Sequence, residues 1–129
     1  MNDKYNYTTN LNIKYAHLEK IDVNEIVKEN KDKWFNQTLT KVNESVVRLG
    51  IVEGEYHWHK HDNDDEFFFV LEGKLIIEIE DKDSIELNVG EGVTITKGVK
   101  HRPIAPVKTV MLMMETCGIV PTGELTIDN

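Results

Sequence analysis

The stretch Gly54-Glu55-Tyr56-His57-Trp58-His59-Lys60-His61-Asp62-Asn63-Asp64-Asp65-Glu66-Phe67-Phe68-Phe69-Val70-Leu71-Glu72-Gly73 decides how this chain folds and where its chemistry lies. Alternate side chains of an extended strand point to one face, so His57, His59 and His61 project together. An acidic turn at 62–65 leads into a second strand that opens on Glu66, and a hairpin of that size brings the carboxylate to the imidazoles. The same parity turns Phe68 and Val70 inward with Glu66, as the apolar wall of a small-molecule pocket. Phe67 and Phe69 then face a second layer or a partner subunit. His101 must come from a strand elsewhere in the fold.

Beyond this stretch the signal stays β-type from Glu44 onward: short runs of alternating polarity at 45–52, 55–60, 66–71, 74–80, 84–87, 92–96, 101–105 and 107–115. Gly and acidic turns separate them, among them Glu53-Gly54, Glu72-Gly73, Asp81-Lys82-Asp83 and Lys97-Gly98. Many short strands in one small domain imply an all-β sandwich or barrel, the way such a chain limits its exposed edges. The chain before Glu44 reads differently. Asp22 and Glu25 have capping-box spacing and Ile21, Ile26 and Val27 form an apolar stripe, so a short helix is expected over 23–30. A polar connection, 28–33, leads to Trp34-Phe35, read as an aromatic plug over the core. The expected organisation is an N-terminal arm at 1–43, a barrel domain at 44–124 and a tail at 125–129.

Composition narrows the partners. A chain of 129 residues is one domain with a real core, and its net charge of -8 argues against nucleic acid, whose phosphates need a basic patch. Cys117 is the single cysteine, which excludes an internal disulfide and a cysteine zinc cluster, and it reads as a packing residue. The polar start, Met1-Asn2-Asp3-Lys4, lacks the apolar run of a signal peptide, and no stretch reaches membrane-spanning length, so a cytoplasmic protein is expected. Gly90-Glu91-Gly92 lacks the Lys and Ser/Thr of a phosphate loop, and no Gly-x-Ser-x-Gly elbow is present. Asp62, Asp64 and Asp65 lack EF-hand spacing and read as a solvated turn. Arg48, in a strand otherwise built from Val46, Val47 and Leu49, is expected to be exposed.

The quoted stretch resembles the first signature of the cupin superfamily, with His59, His61, Glu66 and Gly73 on its His-x-His, Glu and Gly positions. Gly90, Gly98 and His101 fall on the second signature, while Thr96 and Ala105 stand where it commonly has Pro and Asn. The chain is similar to the small single-domain cupins likened to mannose-6-phosphate isomerase, through Val42-Asn43, Lys97-Gly98-Val99-Lys100-His101-Arg102-Pro103 and Pro121-Thr122-Gly123-Glu124. That resemblance implies a cupin jelly-roll barrel (a double-stranded β-helix) behind a short N-terminal helical segment. It implies a divalent transition metal on His59, His61, Glu66 and His101, and a homodimer. His57 falls outside that set, as a pocket residue or a support for the ligands.

Three imidazoles and one carboxylate suit Fe, Mn, Ni, Zn or Cu, and with a divalent ion the site is net positive. An anionic or hydroxyl-bearing small molecule is therefore the expected ligand. Isomerisation of a sugar or sugar phosphate is the first suggestion, with His57 and Glu115 the candidate general bases and Met113 beside the pocket. Two alternatives stand beside it: an Fe(II)-type dioxygenase, and a non-catalytic module that binds a small molecule or metal.

Overall fold

The computed structural model describes residues 8–116. Among them the chain forms β1 (Thr8–Asn10), α1 (Val23–Glu29), β2 (Trp34–Val42), β3 (Ser45–Glu55), β4 (Glu66–Glu72), β5 (Leu75–Ile79), β6 (Lys82–Leu87), β7 (Gly92–Ile95) and β8 (His101–Thr116). The strands join into an 8-stranded sheet ordered β1-β2-β3-β8-β4-β7, with β5 on β8 and β6 on β5. All pairs are antiparallel except β1 on β2. This is the expected all-β jelly roll with one short helix. Cys117, the 121–124 run and the tail at 125–129 lie outside the described residues.

β3 and β8 are the spine. The second half of β8 lies between β3 (Val52↔Thr109 to Ser45↔Thr116) and β4 (Glu66↔Glu115 to Glu72↔Val110), while its first half pairs with β5. Two expected strand breaks prove to be bends. The register of β3 against β8 shifts between Val52 and Gly54, where Gly54 takes φ 105, and pairing resumes at Ala105 beyond Pro106. An extra residue or a missing N–H bends a strand without ending it, so 45–52 runs on to Glu55 and 101–105 joins 107–115. The strand expected at 55–60 is therefore not one: beyond Glu55 its residues leave the ladder, apart from a single bridge at His59.

The Trp34-Phe35 pair packs on the core as expected, but as the start of an unexpected strand, β2, which pairs with β3 from Trp34↔Val52 to Val42↔Ser45. Its two rings take opposite faces, Trp34 against the barrel interior and Phe35 against the outer layer. The interior is built on Val52, Phe68, Val70, Leu75, Ile77, Met111 and Met113, which bears out the inward parity from Glu66. Gly73 has φ 88 and a Cβ there would lie 2.5 Å from the Lys108 carbonyl oxygen, so both the turn and the β8 backbone beside it require glycine.

The helix covers the outer face of β2, β3 and β8. Asp22 caps it by accepting from the Glu25 N–H at 3.2 Å, as the spacing predicts, and Ile26 packs with Leu39, Leu49, Ile51 and Val110. This cluster is separate from the barrel interior. Ile26→Ala is expected to cost about 2–4 kcal/mol in denaturant unfolding. The barrel interior should keep its native near-ultraviolet spectrum, and a loss under about 0.5 kcal/mol would mean that the helix is not stitched to the sheet.

Candidate functional site

Residues 56–61 run beside the start of β8 and are held there by the backbone. Tyr56 N–H donates to the Pro103 carbonyl at 3.1 Å, His59 and His101 exchange both N–H···O bonds at 3.0 and 2.9 Å, and Gly98 N–H donates to the His61 carbonyl at 2.8 Å. The expected hairpin between the histidines and Glu66 is thus replaced by a clamp on β8. Glu66 arrives independently, as the first residue of β4.

These routes converge. His59, His61 and Glu66 present one ligand atom each within 4.8 Å of one another, a group able to hold a metal ion. Glu66 Oε1 lies 3.3 Å from His61 Nε2 and 3.5 Å from His101 Nε2, and all four side chains are buried. Two donors about 2.1 Å from one ion stand roughly 3.0–3.4 Å apart, so the spacing fits.

The tautomers are fixed by what the other ring nitrogens meet. His59 Nδ1 is 3.0 Å from the His57 carbonyl and His101 Nδ1 is 2.9 Å from the Val99 carbonyl. A carbonyl only accepts, so both Nδ1 atoms carry a proton, and in the neutral rings Nε2 offers the lone pair. At His101 that lone pair faces Glu66 Oε1, and neither atom has a hydrogen bond. Two buried acceptors in that position repel unless a cation lies between them.

Charge follows from burial and neighbours. Burial, reinforced by His101, pushes the His59 imidazole down to about 3 and keeps it a neutral donor. Burial alone would raise Glu66, but a proton on the facing His101 and His61 nitrogens, the positive partner of the metal-free site, outweighs it and holds the carboxyl below the usual range. Glu115, directly across from Glu66 on β8, goes the other way: burial and then the Glu66 charge push it up to about 8, against the pull of Arg48.

Arg48 corrects an expectation. It is 3% exposed, its Nε donating to Glu115 Oε2 at 2.6 Å and its Nη1 to the Thr38 hydroxyl. Its even-numbered position on β3 turns it inward with Gly50 and Val52, and parity was the available signal that general Arg exposure overrode. The two candidate bases border the donor cluster, Glu115 against Glu66 and His57 beside His59, but each is held by another group. The His57 ring stacks on Tyr56 at 4.4 Å, so its backbone carbonyl serves the site through His59, and Glu115 is engaged by Arg48.

Beside His59 and Glu66 opens a cavity of about 40 Å³, lined among others by Trp34, Val52, Tyr56, Phe68, Met111 and Met113. Met113 packs in the buried core and also borders this cavity. The described lining includes neither His57 nor Glu115.

Comparison with known proteins agrees with this geometry. The family described as "Cupin domain" matches residues 46–117. YdbB of Bacillus subtilis strain 168, an uncharacterized protein, is 42% identical over 90 residues, 70% of this chain and 80% of its own. A cupin-2 domain containing protein from Shewanella frigidimarina NCIMB 400 superposes with TM-score 0.70 at 34% identity, over 74% of this chain and 93% of that one. NMB1881 from Neisseria meningitidis gives 0.69 at 24% identity over 76% and 99%, which shows the fold alone. No helix among the described residues is long and apolar enough to cross a membrane.

The buried Arg48–Glu115 pair yields a stability test. Arg48→Ala strands a buried carboxyl and should cost about 3–5 kcal/mol, whereas the double variant Arg48→Met with Glu115→Met should lose much less. Denaturant unfolding of both checks this, and equal losses would contradict a mutual pairing.

Proposed function

The chain belongs to the cupin family, and from that premise we propose that His59, His61, Glu66 and His101 together hold one divalent transition metal at which a small oxygen-bearing metabolite binds. The observation that carries this reading is the pair of imidazoles, His59 and His101, whose Nδ1 protons are spent on backbone carbonyls, which leaves Nε2 as the donor atom of each, that of His101 3.5 Å from Glu66 Oε1. Fe, Mn, Ni, Zn and Cu all suit three nitrogens and one oxygen. When bound, the metal supplies Lewis acidity toward a carbonyl or hydroxyl oxygen.

The chain's own residues supply the rest. His57 and Val99 orient the rings through their carbonyls, Phe68 and the methionines exclude water, and Arg48 holds Glu115 behind Glu66. Isomerisation of a sugar or sugar phosphate is the activity that the resemblance suggests. It needs a free base at the metal, and because Glu115 is engaged by Arg48 and the His57 ring is stacked on Tyr56, non-catalytic binding and Fe(II)-type oxygen chemistry stand beside it. Oxygen uptake with Fe(II)-loaded protein separates those two. A homodimer and a cytoplasmic location belong to the same proposal, with Phe67 and Phe69, stacked with centroids 6.3 Å apart, as the contact face.

Elemental analysis of the protein as isolated tests the metal. About one equivalent per chain is expected, falling at least tenfold in His59→Ala His61→Ala, whose far-ultraviolet spectrum should stay native. Equal metal in both proteins would contradict the proposal.

A further inference from the structure

The lining of the cavity points to the class of ligand, given the metal reading above on which this step rests. We infer that the molecule taken by this centre has one anionic or neutral oxygen head for the metal and a short uncharged tail, with no phosphate or other second anionic group.

The charge balance sets the head. Three neutral imidazoles, one carboxylate and a divalent ion leave a single positive charge, which one monoanionic group neutralises. A phosphate on the far end of the ligand would need its own cations, since a buried anion without charged donors is strongly disfavoured. The described lining holds no Lys or Arg. Both arginines of the chain are engaged elsewhere, Arg48 with Glu115 at 2.6 Å and Arg102 with Glu78 at 2.7 Å and Glu55 at 3.3 Å.

Shape sets the tail. The cavity is narrow, about 40 Å³, with room for a short chain. Trp34, stacked on Tyr56 at 4.6 Å, Phe68, Met111 and Met113 form the apolar part of its wall, and the uncharged Thr8, Thr9 and Asn36 the polar part. Gly50 lies under the two methionine methyls: a Cβ there would come within 2.9 Å of Met111 Cε and 3.1 Å of Met113 Cε. The floor is therefore two unbranched thioethers that shift readily around an apolar tail, the property that suits methionine to irregular contacts.

Calorimetric titration of the metal-loaded full chain tests the inference, with acetohydroxamate, butanohydroxamate, mannose 6-phosphate and inorganic phosphate as probes and metal content measured before and after. Each added methylene should tighten hydroxamate binding about fourfold, so that butanohydroxamate binds at least tenfold more tightly than acetohydroxamate, and mannose 6-phosphate should bind no better than inorganic phosphate. Trp34→Ala should flatten the tail-length dependence while leaving metal content unchanged. A metal-loaded protein with no tail-length dependence, or one that prefers mannose 6-phosphate, overturns this inference alone. A protein that holds no metal overturns the metal reading and this inference with it.

Discussion

Two backbone hydrogen bonds between His59 and His101, at 3.0 and 2.9 Å, are the constraint on which the site depends. They fasten an irregular segment to the first residue of the longest strand and set two imidazole rings with centroids 4.5 Å apart. Side-chain packing alone would leave a loop of that length several rotamers. Here the clamp extends to Tyr56 on Pro103 and to His61 on Gly98, so the loop is tied to β8 and to the turn before it. The rest of the barrel then has one task at this end, to deliver Glu66 to the same point, and β4 does so through its register with Glu115.

The electrostatics of the interior follow from that placement. Glu66 sits 3% exposed among neutral rings, and a buried carboxylate is tolerated only with compensation. In the proposed centre a divalent ion would supply it at the front. Behind it, Arg48 engages Glu115, so the facing carboxyls of β4 and β8 are not left as an isolated like-charged pair. The polar end of the barrel is thus a chain from Thr38 through Arg48 and Glu115 to the donor cluster. Of the apolar remainder, Val52, Phe68, Met111 and Met113 border the cavity.

Much of this was legible in the residues. The spacing of His59, His61, Glu66 and Gly73 carried the fold, and period-2 parity from Glu66 identified Phe68 and Val70 as interior. The Asp22 cap fixed the helix start to the residue. What escaped has common physical causes. Gly54 and Pro106 are turn formers by propensity, yet in strands paired on both sides they make bends, so β3 and β8 were read as four strands in place of two. β2 begins on Trp34-Phe35, and an aromatic pair after a charged linker gives no alternation long enough to announce a strand. Arg48 was misplaced because its exposure was judged from residue type, whereas its partners, Glu115 and Thr38, are brought to it only by tertiary pairing.

The central claim is that four side chains from two strands and a clamped loop make one metal centre. Anomalous diffraction from crystals of the protein grown without chelator, collected across the absorption edge of the metal found in it, measures this directly. The account requires one strong anomalous peak within about 2.0–2.3 Å of the Nε2 atoms of His59, His61 and His101 and of a Glu66 carboxylate oxygen. A peak elsewhere, coordination through Nδ1, or native barrel density with no metal peak at these residues would contradict it.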